Sequence, residues 1–216
     1  MKAEKKGFAR WQEYAARKTA VRVNILVPAE LKRGRVLDIG CGFFRNLSTE
    51  TSFSEKYGLD KGIDRAVRME LKKRHDLALV DVDLEYSARV PFGSDFFEVV
   101  AMAAVLDRME PTRVLRILQE IERVLKPGGV VIITVPARWT RGLLGFLVRV
   151  NIIKRTEVRE HKAVYTGKHL LAILGQAGFQ KSSLTSGHFQ FFTGTWVRAK
   201  KVHNRFELEE LEPLET

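Results

Sequence analysis

From Arg35 to Val135 the chain alternates short apolar runs with longer amphipathic stretches, and that alternation restricts the fold more than any other feature. Arg35-Val-Leu-Asp-Ile-Gly40 reads as a short buried strand that breaks into Gly40-Cys41-Gly42, and residues 43–55 as the first crossover helix. Tyr57-Gly-Leu-Asp60 is a second strand, 64–74 a basic surface helix, Leu77 to Leu84 a third strand and Phe96 to Val105 a central fourth. After Pro111, the apolar positions Val114, Leu115, Leu118, Ile121 and Leu125 recur at helical intervals and predict a helix over 111–125. Lys126-Pro-Gly-Gly129 stops it, and the run from Val130 to Val135 is a nearly all β-branched fifth strand. Strands alternating with helices imply right-handed βαβ units around a parallel sheet. A helix at 167–177 follows, then strands around 181–190 and 194–201 with no helix between them, which predicts an antiparallel pair at one edge. The expected fold is α/β, a doubly wound seven-stranded sheet, mostly parallel with an antiparallel terminal strand. Upstream, residues 8–26 show helical spacing that Pro28 ends or bends.

At 216 residues and 45% hydrophobic, the chain suits one α/β domain with an elaboration. A single cysteine excludes an internal disulfide framework and any cysteine-based zinc site, and favours a reducing, cytoplasmic setting. The charged first residues lack the apolar core of a secretory signal. No run of about 18 uncharged apolar residues suggests a membrane-spanning helix. The net charge of +11 is unevenly spread. Residues 1–35 carry 10 basic and 3 acidic side chains, residues 36–137 carry 14 and 16, and residues 138–205 carry 13 and 2. The central region is therefore electrostatically ordinary and both flanks are basic. The expected organisation is an N-terminal helical cap at 1–30, a main domain at 31–205 with an inserted basic and apolar cap at 138–165, and an acidic, solvated tail at 206–216.

Open parallel sheets bind ligands at the carboxyl ends of their strands, where the strand order reverses. The turn at Gly40 and Gly42 stands at such an end, and glycines there let backbone N–H groups approach a ligand. Asp60, 22 residues after Asp38, closes the second strand, where a carboxylate can take both hydroxyls of a ribose. Asp81 and Asp83, after the third strand, are in position for the exocyclic amine of an adenine. Together these residues point to an adenosine-containing cofactor. A dinucleotide fingerprint needs a third glycine where Arg45 stands, and no Gly-Lys-Ser/Thr follows the strand as a P-loop requires.

Val36-Leu-Asp-Ile-Gly-Cys-Gly42 resembles the first motif of class I S-adenosylmethionine-dependent methyltransferases, small-molecule branch, whose fold is Rossmann-like. Tyr57-Gly-Leu-Asp60 is similar to the acidic second motif, and Val82-Asp-Leu-Glu85 with Ser94 to Val100 to the third-strand segment. Val105-Leu-Asp-Arg-Met109, Leu118 to Gly129, Glu160-His161, Tyr165-Thr166 and Leu171 to Phe179 continue the likeness over roughly residues 30–200. The resemblance implies S-adenosyl-L-methionine as cofactor. Gly40, Cys41 and Gly42 would face its methionine part, Asp60 its ribose, and Asp83 with Leu84 its adenine. Asp38 would order the glycine loop, or serve simply as a strand-end acid. Cys41 reads as a small side chain tolerated in a tight turn. Phe44 stands where relatives commonly carry glycine, and Arg108 replaces a frequent histidine.

Methyl transfer asks mainly for alignment, with a base only where the nucleophile must lose a proton. His161, after the fifth strand, is the candidate base, with a surface or capping role as the alternative. Asp107 is the candidate for orienting a substrate hydroxyl, or else caps the helix begun by Pro111. No metal site is expected, because His75, His169, His188 and His203 form no ligand pattern. The fourth strand lacks the Asn/Asp-Pro-Pro-aromatic mark that resemblance attaches to methylation of amino groups in adenine or cytosine. A hydroxyl, carboxyl or carbon nucleophile on a small, anionic or lipid-like acceptor is favoured. Residues 138–155 couple an apolar segment to five basic residues. That composition suits a lid over the acceptor, a contact with an anionic membrane surface, or a plain packing helix. The alternative function is polyanion binding, by an RNA methyltransferase or an inactive relative, with Trp139 and the arginines on a phosphorylated ligand.

Overall fold

A computed structural model of the chain describes residues 17–41, 52–87, 89–137, 139, 142, 149, 162–189 and 194–202. Seven strands form one sheet: β1 Arg35–Ile39, β2 Glu55–Asp60, β3 Leu77–Asp81, β4 Phe97–Ala103, β5 Leu125–Pro136, β6 Leu184–His188 and β7 Gly194–Lys200. Their order is β3-β2-β1-β4-β5-β7-β6. Strands β1 to β5 run parallel, and β7 is antiparallel to both β5 and β6. The expected antiparallel pair is present, with β7 inserted between β5 and the edge strand β6. The order reverses between β1 and β4, which puts the ligand crevice at the carboxyl ends of these two strands.

Apolar residues on both faces of the sheet are buried, as βαβ crossovers require. Leu37 and Ile39, Val100 and Met102, and Val131 and Ile133 pack on one face with Val114, Ile117, Leu118 and Ile121 of the helix Pro111–Val124 and Leu170 and Leu174 of the helix Gly167–Gln176. Val36, Val99, Ala101, Val130 and Ile132 pack on the other with Ala20, Val23 and Val27. The described helix over 17–26 thus shares a core with the sheet. A register shift between Phe97 and Val99 turns Phe97 toward the same face as Val100, where alternation alone would oppose them.

Local chemistry sets the element ends. Asp64 caps the helix Arg65–His75 by accepting from Ala66 N–H at 2.8 Å. Pro111 opens the helix Pro111–Val124 at its first turn, where a missing N–H costs nothing. Gly128, at φ +83°, turns the chain after Pro127. Several expected boundaries need correction, among them the fifth strand, which runs Leu125–Pro136 rather than Val130 to Val135, and the fourth, which runs Phe97–Ala103 rather than Phe96 to Val105. The third strand ends at Asp81 rather than Leu84, because the Asp83 carboxylate accepts from Glu85 N–H at 2.9 Å and starts the one-turn helix Leu84–Ser87. The second strand starts at Glu55 rather than Tyr57, alongside Arg35, whose Nε donates to Glu55 Oε1 at 2.8 Å. Residues Lys181–Ser183 form a short 3-10 turn, so β6 begins only at Leu184. Among the described residues no helix is long and apolar enough to cross a membrane.

Candidate active site

At the end of β1 the backbone of Gly40 takes φ +72° and its N–H donates to Leu59 O at 2.7 Å. A Cβ on Gly40 would lie 2.2 Å from Val105 Cγ2, so this left-handed turn against the β4 exit requires glycine. Cys41 is buried with Ile63, Leu77 and Leu79. Its sulfur lies 3.0 Å from where a Cβ on Gly58 would stand, so the thiol occupies the space beside that glycine.

Four carboxylates follow along the ends of β1, β2 and β3. Asp38 is buried, and burial pushes its carboxyl up to about 7, with the neighbouring Asp60 charge adding to the rise. Asp60 ends β2 opposite Asp81 of β3, and its Oδ1 accepts from Lys61 N–H at 2.8 Å. Asp81 holds the loop after β2, accepting from Gly62 N–H at 2.8 Å and lying 3.8 Å from Arg68 Nη2. Asp83, two residues further on, accepts from Glu85 N–H through Oδ1 and has Lys61 Nζ 3.5 Å from its Oδ2. The Leu84 side chain is buried in the main core, so a contact from Leu84 to a ligand would run through its backbone.

The exit of β4 supplies the opposite wall. Ala104 takes φ +55°, an unusual conformation for a residue with a Cβ, while its N–H pairs with Thr134 O at 3.0 Å. This bend carries the chain into the 3-10 turn Leu106–Arg108, in which Asp107 is buried and Arg108 exposed. The residue before Pro111, Glu110, occupies the helix-cap position, so Asp107 is not the cap. The Asp107 carbonyl accepts from Lys162 N–H at 2.8 Å and Ala163 N–H at 3.1 Å. Lys162 Nζ lies 2.9 Å from Glu85 Oε1 and 3.0 Å from Glu110 Oε1, and Glu110 N–H donates to Glu85 Oε1 at 3.0 Å. The hydrogen bond from Lys162 is the main reason that the Glu85 carboxyl is held below its ordinary range, against the effect of burial. Tyr165 is buried beside this turn, and burial with the Asp107 charge raises its phenol.

The structure therefore brings Asp38, Gly40, Cys41, Asp60, Asp83 and Asp107 to the carboxyl end of the sheet. Gly42 and His161 lie outside the described residues, as do Phe44 and Arg45. Of the inserted segment, Trp139 is exposed. Lys162, Glu85 and Glu110 were not apparent as a cluster in sequence. They lie far apart along the chain, and only Glu85 falls in a recognisable motif.

A family model described as a methyltransferase domain matches residues 10–184. The chain is 25% identical over 169 residues to the tRNA N(3)-methylcytidine methyltransferase Mettl2 of Drosophila melanogaster. That alignment covers 72% of this chain and 52% of the relative, so the chain spans about half the relative's length. Among solved structures, a chain of the complex between the Haloferax volcanii Trm112 methyltransferase activator and a methyltransferase superposes with a TM-score of 0.67 at 15% identity, covering 93% of this chain and 96% of that one. A methyltransferase from Thermotoga maritima gives 0.64 at 17% identity, over 91% and 95% of the two chains. One from Archaeoglobus fulgidus gives 0.64 at 17%, over 86% and 94%. These likenesses carry the fold, and the family match agrees with the strand order and the glycine turn. The chain belongs to the methyltransferase-domain family, and its sheet has the class I fold of S-adenosylmethionine-dependent methyltransferases.

Proposed function

We propose that this methyltransferase acts on a small acceptor carrying a hydroxyl, carboxyl or carbon nucleophile, seated at the β4 exit beside Asp107. S-adenosylmethionine supplies a methyl group already activated on a sulfonium, so the chain has to hold, orient and, where needed, deprotonate. The residues fit that cofactor. Gly40 ends β1 with no Cβ at the tightest point of the turn, which lets a ligand approach the backbone there. The Asp60 carboxylate stands at the end of β2 for the ribose hydroxyls, and Asp83 with the Leu84 backbone takes the adenine edge. Asp38, buried and near half-ionised at neutral pH, is a carboxyl that a cationic ligand would hold in its charged form. His161 and Asp107 are the candidate bases.

The observation that supports the small-acceptor reading is the burial of Asp107, at 4% exposure, at the β4 exit to which the proposal assigns the acceptor. A base within folded RNA would have to be extruded to reach a carboxylate so enclosed. A second reading, transfer to tRNA, is favoured by the Drosophila relative and by the basic flanks. Methyl-labelled S-adenosylmethionine offered with a cellular small-molecule extract, and separately with total tRNA, discriminates between them. Label in the small-molecule fraction supports the proposal. Label confined to tRNA, with binding that falls steeply as salt rises, overturns it in favour of the second reading. Asp60→Ala is expected to weaken cofactor binding about tenfold or more by calorimetry, as loss of charged hydrogen bonds to the ribose would. Unchanged affinity removes Asp60 from the cofactor site.

A further inference from the structure

The Tyr165 hydroxyl is buried and has no hydrogen-bond partner, and the residue as a whole is 8% exposed. A phenylalanine would fill the same volume without leaving a polar atom unsatisfied, so the hydroxyl is costly unless a partner arrives with a ligand. Its place in the fold suggests which ligand. The segment bearing it is fixed on the β4 exit by Lys162 N–H and Ala163 N–H on the Asp107 carbonyl, and by Lys162 Nζ on Glu85 and Glu110. On its other side Thr166 Oγ1 accepts from His169 N–H at 3.3 Å and caps the helix Gly167–Gln176. Tyr165 is therefore held from both directions near the β4 exit, within electrostatic reach of the buried Asp107. Burial and the Asp107 charge both keep its phenol protonated, so at neutral pH it is a hydrogen-bond donor.

We propose that the Tyr165 hydroxyl donates a hydrogen bond to the methyl-accepting oxygen of a hydroxylated substrate, whose own proton is received by Asp107. The assignment rests on the small-acceptor reading and narrows it to oxygen. A hydroxyl oxygen has one proton and two lone pairs. The O–H points to Asp107, one lone pair takes the Tyr165 hydrogen bond, and the second faces the methyl carbon. That lone pair forms the new O–C bond as the C–S bond breaks with its electrons to sulfur, and the hydroxyl proton passes to the Asp107 carboxylate. In this arrangement the Tyr165 hydrogen bond favours an oxygen acceptor, which keeps a second lone pair for the methyl carbon.

The test takes the product labelled in the small-molecule extract and locates its methyl group. Attachment to oxygen is expected, and attachment to nitrogen or carbon overturns the assignment. On the same acceptor, Tyr165→Phe is expected to lower kcat/KM about 10- to 100-fold, the loss typical of one hydrogen bond in an enclosed site. Its cofactor affinity should be unchanged and its Tm equal to or above that of the parent, which also reports correct folding. Unchanged turnover with a raised Tm would make Tyr165 a packing residue only and overturn the proposal. If Asp107→Asn abolishes transfer while Tyr165→Phe does not, the Tyr165 assignment fails and the small-acceptor reading stands. Label found only in tRNA overturns both.

Discussion

The carbonyl oxygen of Asp107 accepts a hydrogen bond from the N–H of Lys162 at 2.8 Å, joining the exit of β4 to the chain that leads into the helix Gly167–Gln176. The Lys162 side chain extends the same link to Glu85, just after β3. One residue thus ties the end of β3 to the exit of β4. Because Lys162 is partly solvated, its ion pairs contribute little to global stability, and their effect is to position the segment.

Lys162→Ala should accordingly leave Tm nearly unchanged while raising the KM for the acceptor several-fold, with cofactor affinity preserved. The raised KM should be approached by the parent protein in high salt, which screens the exposed pairs with Glu85 and Glu110. Steady-state kinetics at two ionic strengths check this. A large fall in Tm would instead make Lys162 a stabilising residue.

Asp38 makes stability depend on pH. Its folded value of about 7 lies above its ordinary 3.8, so the group favours folding fully below about pH 4 and loses that contribution as the pH rises through 7. A shift of this size corresponds to something on the order of 4 kcal/mol. Asp38→Asn should flatten this part of the stability profile and leave the variant more stable than the parent at pH 8. Urea unfolding between pH 4 and 8 measures it, and parallel curves for the two proteins would refute the assignment. A cationic cofactor acts in the opposite sense. Near pH 6–7 its binding should release a proton from Asp38, visible as a buffer-dependent enthalpy in calorimetry.

The turn at Gly40 tolerates no side chain. Gly40→Ala introduces a Cβ 2.2 Å from Val105 Cγ2 at φ +72°, and a loss of about 2–3 kcal/mol is expected from steric conflict and backbone strain together. Adding Val105→Ala removes the two closest methyl contacts and should recover part of that loss, leaving the strain. Urea unfolding of the single and double variants reads the two contributions separately.

At the other end of the sheet, Lys201 is buried at 4% exposure, with Nζ donating to Asp95 Oδ1 at 2.8 Å and to Glu122 O at 3.0 Å. Its ammonium also lies 3.8 Å from Glu122 Oε1, itself buried. Lys201→Met should cost about 2–4 kcal/mol, because it leaves the Glu122 charge enclosed without this cation. Combining it with Glu122→Gln should restore some of the loss, without change in cofactor affinity. Chemical unfolding and calorimetry together decide the matter.

The strand–helix alternation, the glycine turn after β1 and the acids ending β2 and following β3 were legible because each is a local signal. A period of two or 3.6 residues, a proline at a helix start and a glycine needed at positive φ are all set within a few residues. The boundaries that differed did so for reasons a single segment does not display. Asp83 ends the third strand early by capping a turn of helix, and the pairing of Arg35 with Glu55 accompanies an earlier start for β2. The register shift in β4 reverses the face of Phe97 relative to Val99 and Val100, which alternation alone would not reveal.

The sequence by itself determined the sheet's architecture and most of the acids at its strand ends, since burial pattern and turn chemistry repeat along the chain. Only the tertiary structure decided that Asp107 is buried while Arg108 is exposed, that Asp81 serves the loop after β2, and that the Tyr165 hydroxyl is enclosed without a partner. It also decided that Lys162 would meet Glu85, 77 residues away. The physical reason is range: periodicity and caps are fixed by neighbours in sequence, whereas the partners of a charge or a hydroxyl are fixed by which strand ends the sheet brings together.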